Sequence, residues 1–249
     1  RFFFYKAADA SILYTGNIAK KVRKKYNLKN VFVANNTIDN KEKNLIYKKL
    51  KSIGRKKIRS KLNFKDTINL CFVSRVVERK KTEKLIEIVS YFKKQNLSVC
   101  IHFIGDGPNL FSLKQKIKKS NQTNQFKFYG PLHNEKIISK IIFASDFMVV
   151  PRGPGLSINH AFCYGTPFAT LTPDKDFGPP EIVFVIDSVN SILAKSSEGL
   201  SLRILKIIKN KPLYKNLRFS TRQFYEEKLS LNKMLLGFND AINYSLLKK

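Results

Sequence analysis

From Thr67 onward the chain alternates short apolar runs with longer amphipathic stretches, and that rhythm restricts the folds open to it. "TINLCFV" is an unbroken apolar run. "TEKLIEIVSYF" carries apolar residues at 85, 86, 88, 89 and 92, the stripe of a helix. "LSVCIHFIG" reads as a strand, "LFSLKQKIKKS" as a helix, "FKFYG" as a strand, "NEKIISKIIFA" as a helix and "DFMVV" as a strand. A strand at "PFATL" and a helix over 200–210 follow. Continuously apolar strands suit a parallel sheet, whose strands are buried on both faces. Helical crossovers of one hand then cover that sheet on both sides. The expectation is an α/β fold, a doubly wound parallel sheet over residues 66–215.

Upstream, "ASILYT" (Ala10–Thr15) reads as a strand, "NIAKKVRKKYN" as a basic helix and "NVFVANNTID" (Asn30–Asp39) as a second strand. Residues 40–65 are polar and basic, with helical spacing at Leu45, Ile46 and Leu50, and look like a helix and a linker. The last stretch, "TRQFYEEKLSLNKMLLGFNDAINYSLL", reads as one long amphipathic helix or two.

With 249 residues and 43% apolar content, the chain can bury a substantial core. Its charge is unusual: 47 Lys and Arg stand against 18 Asp and Glu, a net +29. Such an excess favours anionic partners, whether phosphorylated small molecules, nucleic acid or anionic lipid. The lysines are scattered, so a general Lys and Asn bias explains them equally well. Cys71, Cys100 and Cys163 lie apart within apolar runs, with no metal-ligand spacing. They read as buried thiols of a reducing cytosol. No apolar run approaches the roughly 18 residues of a membrane-spanning helix. The start, "RFFFYKAADASILYTG", lacks the pattern of a signal peptide and does not begin with Met, so the chain reads as a fragment or as processed upstream.

In doubly wound sheets a ligand sits outside the carboxyl ends of the strands. Three loops leave those ends with unusual content: "SRVVERKK", "GDGPN" and "PRGPGLS". Gly105, Gly107, Gly153 and Gly155 are placed to let a phosphate approach backbone amides at helix starts. Glycine at such turns is also common for purely steric reasons. Arg75 and Lys80 could grip two phosphates, arginine through a planar fork and lysine as a point charge. Solvated surface charge is the alternative. Val73, Val76 and Val77 flank Arg75, which suggests that the fold holds its guanidinium.

Several motifs in order then resemble one family. "SRVVERKK" corresponds to G-R-L-x-x-x-K-G, "IGDGPNLFSLKQKI" to G-x-G-P, and "FYGPLHNEKIISKIIFASDFMVVP" to the glycine, helix and A-D strand that follow. "GLSINHAFCYGTPF" corresponds to the G-L, E-A and G-T-P elements. The chain resembles the C-terminal half of a retaining GT-B glycosyltransferase of the group 1 family. By that resemblance residues 1–40 are the end of an N-terminal, acceptor-side domain, 41–65 a linker, and 66–215 the Rossmann-like nucleotide-sugar-binding domain. Residues 216–249 are C-terminal helices that pack back toward the N-terminal part.

The resemblance implies sugar transfer from a nucleotide diphosphate sugar to an acceptor hydroxyl with retention. It implies no metal and no cofactor beyond that donor. Arg75 and Lys80 would be catalytic, stabilising charge on the leaving diphosphate. Gly105, Gly107, Arg152, Gly155, Leu156, Ser157, His160 and Glu181 would contact the donor. The chain departs from the family pattern in one place. Arg152 and His160 stand where the pattern has its two glutamates. Histidine can still bond a hydroxyl, whereas Arg152 reverses the local charge and suits a phosphate or an acidic sugar. Glu181, in "GPPEI", would replace a missing carboxylate. His160 also reads as a packed helix histidine, off the apolar face made by Ile158, Ala161 and Phe162. "DKD" (174–176) has the form of a metal-binding motif from the other glycosyltransferase fold and is discounted on that ground.

The acceptor implied is a sugar or a lipid-linked sugar, in cell-surface polysaccharide, lipopolysaccharide or glycolipid synthesis. The protein would be cytoplasmic, with basic faces held at the anionic inner face of the membrane. Two other readings stay open. A basic nucleic-acid-binding protein would use the +29 charge, though no nucleic-acid signature is present and the aromatics fall in strands and helices. A catalytically degenerate transferase fold would explain the lost glutamates.

Overall fold

The structure, a computed structural model, describes residues 2–39, 41–173 and 180–247. The chain opens with α1 (Phe2–Ala7), β1 (Ser11–Leu13), α2 (Gly16–Tyr26) and β2 (Val31–Val33). Thr15 caps α2 by accepting from the Ile18 amide at 3.5 Å. β1 and β2 pair in parallel. Then come α3 (Lys41–Ile53), α4 (Arg55–Lys61), β3 (Ile68–Val73), α5 (Lys84–Lys94), β4 (Val99–Ile104), α6 (Leu110–Lys119), β5 (Phe126–Gly130), α7 (Glu135–Ala144) and β6 (Phe147–Val149). The chain continues through α8 (Ser157–Cys163), β7 (Phe168–Leu171), β8 (Ser191–Ala194), α9 (Ser197–Lys209), α10 (Lys211–Phe224) and α11 (Leu231–Leu246).

Strands β3 to β8 form one six-stranded sheet in the order β5-β4-β3-β6-β7-β8, with every pairing parallel. That is the doubly wound architecture anticipated. Its centre is dry: Leu70, Cys71, Phe72, Phe147, Met148 and Val149 are fully buried. α5 turns Leu85, Ile88, Val89 and Phe92 inward, the spacing seen in the sequence. α9 packs beside α5, while α7 and α8 cover the other face.

The segment expected to be a linker, 41–65, differs. It forms α3 and α4, which pack on α7 and bury Leu50 and Ile58 in the core. Arg55 and Arg59 explain the docking of α4. Both guanidinium groups donate to the Ala144 carbonyl, at 3.1 and 2.8 Å, and both meet Asp146. Arg218 of α10 donates to the carbonyls of Phe143 and Ser145 at 3.2 and 3.1 Å. Three cations thus satisfy the open carbonyls where α7 ends, where the helix dipole also favours positive charge. The expected division at 215/216 falls inside α10, a continuous helix.

A π-helical turn (Tyr225–Leu229) leads into α11, which packs on β1 and β2. Asn35 donates to the Lys228 carbonyl at 3.1 Å and Thr37 to that of Leu229. Tyr244 lies 5.2 Å from Phe32, ring centre to ring centre. Cys71 and Cys163 are buried thiols and Cys100 is half-buried. Among the described residues no helix is long and apolar enough to cross a membrane.

Candidate functional site

β3 and β6 are neighbours, but the chain leaves β3 toward β4 and leaves β6 toward β7. Crossovers that diverge in this way open a crevice at the carboxyl ends of the two strands. Residues 74–83, after β3, and 150–157, after β6, line it. The first contains a 3₁₀ turn at Glu78–Lys80. The second passes through Gly153 and Gly155, whose φ angles of 59° and 58° are left-handed.

Two side chains tie these segments together. Lys80 Nζ donates to the Gly153 carbonyl and, at 3.5 Å, to that of Pro154. Ser157 Oγ donates to the Val73 carbonyl at 2.7 Å, which pins the start of α8 to the end of β3. Lys80 is only 7% exposed. Burial, helped by the charge of Arg79, lowers its ammonium pKa to about 8, while Glu181 pulls the other way.

Glu181 is 6% exposed and lies in a 3₁₀ turn at Pro180–Phe184. Its Oε1 accepts from Asn36 Nδ2 at 2.8 Å. The Asn36 carbonyl accepts from Asn159 Nδ2 of α8 at 2.7 Å. A polar seam therefore runs from Lys80 through Glu181 and Asn36 to α8. Asn36 was not among the residues singled out in the sequence, because nothing local marks a turn asparagine as a neighbour of residues 159 and 181.

Arg75 leaves the end of β3 exposed and, among the described residues, makes no hydrogen bond or ion pair. The expectation that the fold holds its guanidinium is not met. What is held is the backbone around it: Ser74 N donates to the Ile104 carbonyl at 3.2 Å and Val76 N to the Asp106 carbonyl at 2.8 Å. Arg152 is half-buried, and Leu156 is exposed at the helix start.

Gly105 and Gly107 serve that backbone. A Cβ on Gly105 would lie 2.0 Å from the Ser74 carbonyl oxygen, and one on Gly107 2.3 Å from that of Val76. Both have φ values that side chains avoid, 144° and 154°. The "GDGP" loop thus lets the segment carrying Arg75 and Lys80 lie against it.

His160 is engaged with α7. Its Nε2 lies 2.8 Å from Glu135 Oε1, the first residue of α7. Tyr164, just past the end of α8, donates to the same oxygen at 2.5 Å. Lys43 of α3 approaches Oε2 at 3.7 Å. Burial acts to raise the Glu135 pKa, but the donors outweigh it and hold the carboxyl below its ordinary value. Sequence reasoning missed Glu135, since its partners lie 25 and 29 residues away on another helix.

The motif Asp174–Asp176 lies outside the described residues. Among the described residues, no group of three or more His, Cys, Asp and Glu side chains is placed to hold a metal ion.

The six-stranded parallel sheet flanked by helices matches the fold of GT-B glycosyltransferases, and among the similar solved structures is sucrose-phosphate synthase from Thermosynechococcus elongatus. That match has a TM-score of 0.77 at 14% identity and covers all of this chain and 61% of the other. Anabaena HepE, solved in complex with UDP, matches at a TM-score of 0.75 and 17% identity, over 95% of this chain and 64% of the other. The chain belongs to the group 1 glycosyl transferases, whose family model matches residues 54–224. An uncharacterized glycosyltransferase of Methanocaldococcus jannaschii is 32% identical over 242 residues, which is 92% of this chain. The chain spans 57% of that relative's length.

Proposed function

We propose that this chain is the donor-binding part of a glycosyltransferase that moves a sugar from a nucleoside diphosphate sugar to an acceptor hydroxyl. The observation that carries the reading is the junction of Lys80 with the Gly153–Pro154 loop at the β3/β6 crevice. A buried ammonium facing backbone carbonyls is a cation kept inside the protein next to a glycine loop. Arg75 stands exposed on the same segment, five residues upstream, with its donors available. Together they would meet the diphosphate as the bond from the sugar's anomeric carbon to its leaving oxygen breaks. Stabilising charge that grows on a leaving group is a large source of catalysis in such sites. The Gly155, Leu156 and Ser157 amides, at a helix start, would add donors. Glu181 and His160 would orient hydroxyls of the donor. HepE has been solved with UDP and with UDP-glucose, which supports a uridine nucleotide as the first donor to test.

Retention follows from family resemblance: the acceptor oxygen attacks the face that the diphosphate leaves, and the acceptor proton passes to the departing phosphate. The acceptor is a sugar or a lipid-linked sugar of a cell-surface polysaccharide or glycolipid. The +29 charge would hold the enzyme at an anionic inner membrane face. Arg152, in place of a glutamate, supports a second reading in which the fold binds a sugar nucleotide without turning it over.

Calorimetry with UDP and GDP tests the proposal. We expect saturable binding of one of them, weakened about tenfold or more by Arg75→Ala and by Lys80→Ala, the loss of one charge-assisted hydrogen bond. No saturable binding, or affinity indifferent to both substitutions, would overturn it. Tight binding without transfer by an intact-length protein would favour the second reading.

A further inference from the structure

We infer that the chain carries a second binding site, for an anionic sugar, in an open cavity at the amino ends of β3, β4 and β5, lined by Lys65, Lys93, Lys127, Phe64 and His102. The inference goes beyond the donor-binding reading and does not rest on it. The crevice opens at the carboxyl ends of the strands. This cavity lies at the other end of the same sheet, about 20 Å away along six strand residues.

Charge gives the class of ligand. The cavity holds about 580 Å³, within the usual range for a small-molecule site, about 300–1,000 Å³. Three lysines line it, and among the described residues no Asp or Glu does. Nor is any of the three ammonium groups paired with a carboxylate among the described residues. Lys93 Nζ donates to the Asn121 carbonyl at 3.2 Å, and Lys127 Nζ lies 5.3 Å from the Tyr129 ring centre. Register puts Asn69, Cys100, His102 and Lys127 on one face of the sheet, since Asn69 pairs with Cys100 and His102 with Lys127. Burial raises the Cys100 pKa, and Lys127 and Lys65 both act against it, so two cations converge on that thiol. Asn96 and Asn124 stand exposed beside them and offer amide donors and acceptors that suit hydroxyls.

The wall of the cavity is built in advance. Asn69 Nδ2 donates to the carbonyls of Lys65 and Thr67 at 3.1 and 2.7 Å, which leaves Asn69 Oδ1 to accept from His102 Nε2 at 2.9 Å. His102 Nδ1 then accepts from the Tyr129 hydroxyl at 3.0 Å. Burial, with the charges of Lys127 and Arg59, lowers the His102 pKa to about 3, so the ring is neutral and both its nitrogens are occupied. Phe64 stacks on that fixed ring, 3.7 Å between centres and 8° between planes. Phe64 is half-buried, so part of its ring stays open to the cavity it lines. An aromatic surface suits the C–H face of a sugar, the amides its hydroxyls, and the lysines its phosphate or carboxylate. The cations gather in one cavity instead of along a stripe, which favours a small ligand over a polynucleotide.

The test is calorimetry with glucose 6-phosphate and trigalacturonate, a phosphate and a carboxylate form of the ligand, beside glucose and orthophosphate as controls. We expect one anionic sugar to bind saturably and about tenfold more tightly than either control, since charge and hydroxyl contacts act together. Lys65→Ala and Lys127→Ala, at exposed positions, should each weaken that binding about tenfold and leave the melting temperature unchanged. Cys100 reports on the site itself, because it is half-buried while Cys71 and Cys163 are buried. Saturating ligand should slow its alkylation by iodoacetamide several-fold, and Cys100→Ser identifies the reacting thiol. No saturable binding of either anionic sugar, equal binding of orthophosphate, or binding that survives both lysine substitutions would overturn the inference. So would unchanged alkylation of Cys100 at saturation. A single-stranded RNA that displaces the sugar and depends on the same lysines would overturn it too, making the cavity part of a nucleic-acid surface. UDP titrated into Lys127→Ala separates the two sites: unchanged affinity supports a second site, and a loss equal to that of the sugar would show that one site was being read twice.

Discussion

The Asn36 side-chain amide donates to the Glu181 carboxylate across 2.8 Å, joining a turn near the start of the chain to a turn beyond β7. Glu181 is buried, so its charge needs that donor. Asn36→Ala should lower unfolding free energy by about 1–3 kcal/mol, the cost of an unsatisfied buried polar group. Urea unfolding measures it. A loss below a few tenths of a kcal/mol would mean that Glu181 is satisfied elsewhere.

Lys80 gives a pH dependence of known sign. Its folded pKa is about 8 against an ordinary 10.5, because burial disfavours the ammonium. As pH rises through about 8 the cation is lost, so affinity for a nucleoside diphosphate should fall between pH 7 and pH 9. Lys80→Arg should hold that affinity level over the same range. Stability moves the other way. Between about 8 and 10.5 the unfolded chain binds the extra proton, so folding strengthens with pH there, and Lys80→Met should erase that rise. Affinity of the unaltered chain that is flat across this range would contradict the assignment.

Asp146 should be the acid-sensitive group of the fold. Burial alone would raise its pKa, but Arg55 and Arg59, at 2.6 and 2.8 Å, outweigh burial and hold it below the ordinary 3.8. Its stabilising effect is present above that ordinary value and is lost as pH falls through the lower folded one. Asp146→Asn strands two arginines and the end of α7. It should cost about 3–5 kcal/mol in chemical unfolding, as removal of one partner of a buried pair does. It should also flatten the acid limb of the stability profile.

Gly105 links stability to binding. Adding a Cβ 2.0 Å from the Ser74 carbonyl must displace one backbone or the other. Gly105→Ala should destabilise by about 1–3 kcal/mol, as overpacking does, and should weaken nucleotide binding by moving Arg75. Arg75→Ala should weaken binding with an unchanged melting temperature, since the exposed side chain makes no bond to the described residues. Calorimetry beside thermal melts separates the two effects.

Much of the sheet was legible in the sequence because parallel strands are continuously apolar, as in "INLCFV" and "VCIHFI". β8 was not, because "SILA" is short and set among serines and asparagines. α4 looked like linker for a related reason. "RKKIRSK" offers a single buried residue, Ile58, and docks largely through arginines whose acceptors lie 85 to 91 residues away. The candidate site shows the same limit. Lys80 and Gly153 were visible as loop chemistry, and their contact was not. Glu135 and Asn36 carry no local signature, since each acquires its role only where distant helices and turns meet.

At the far end of the chain, a Cβ on Gly237 of α11 would sit 1.9 Å from the Val33 carbonyl oxygen, so helix and strand touch backbone to backbone. In three dimensions the last helix belongs with the first forty residues. A truncation that spares every residue of the crevice but stops after α10 would strip β1 and β2 of their cover and loosen the turn that carries Asn36. Anyone dissecting this chain into pieces should therefore keep its two ends together, because the order of residues along the thread is a poor guide to where it comes apart.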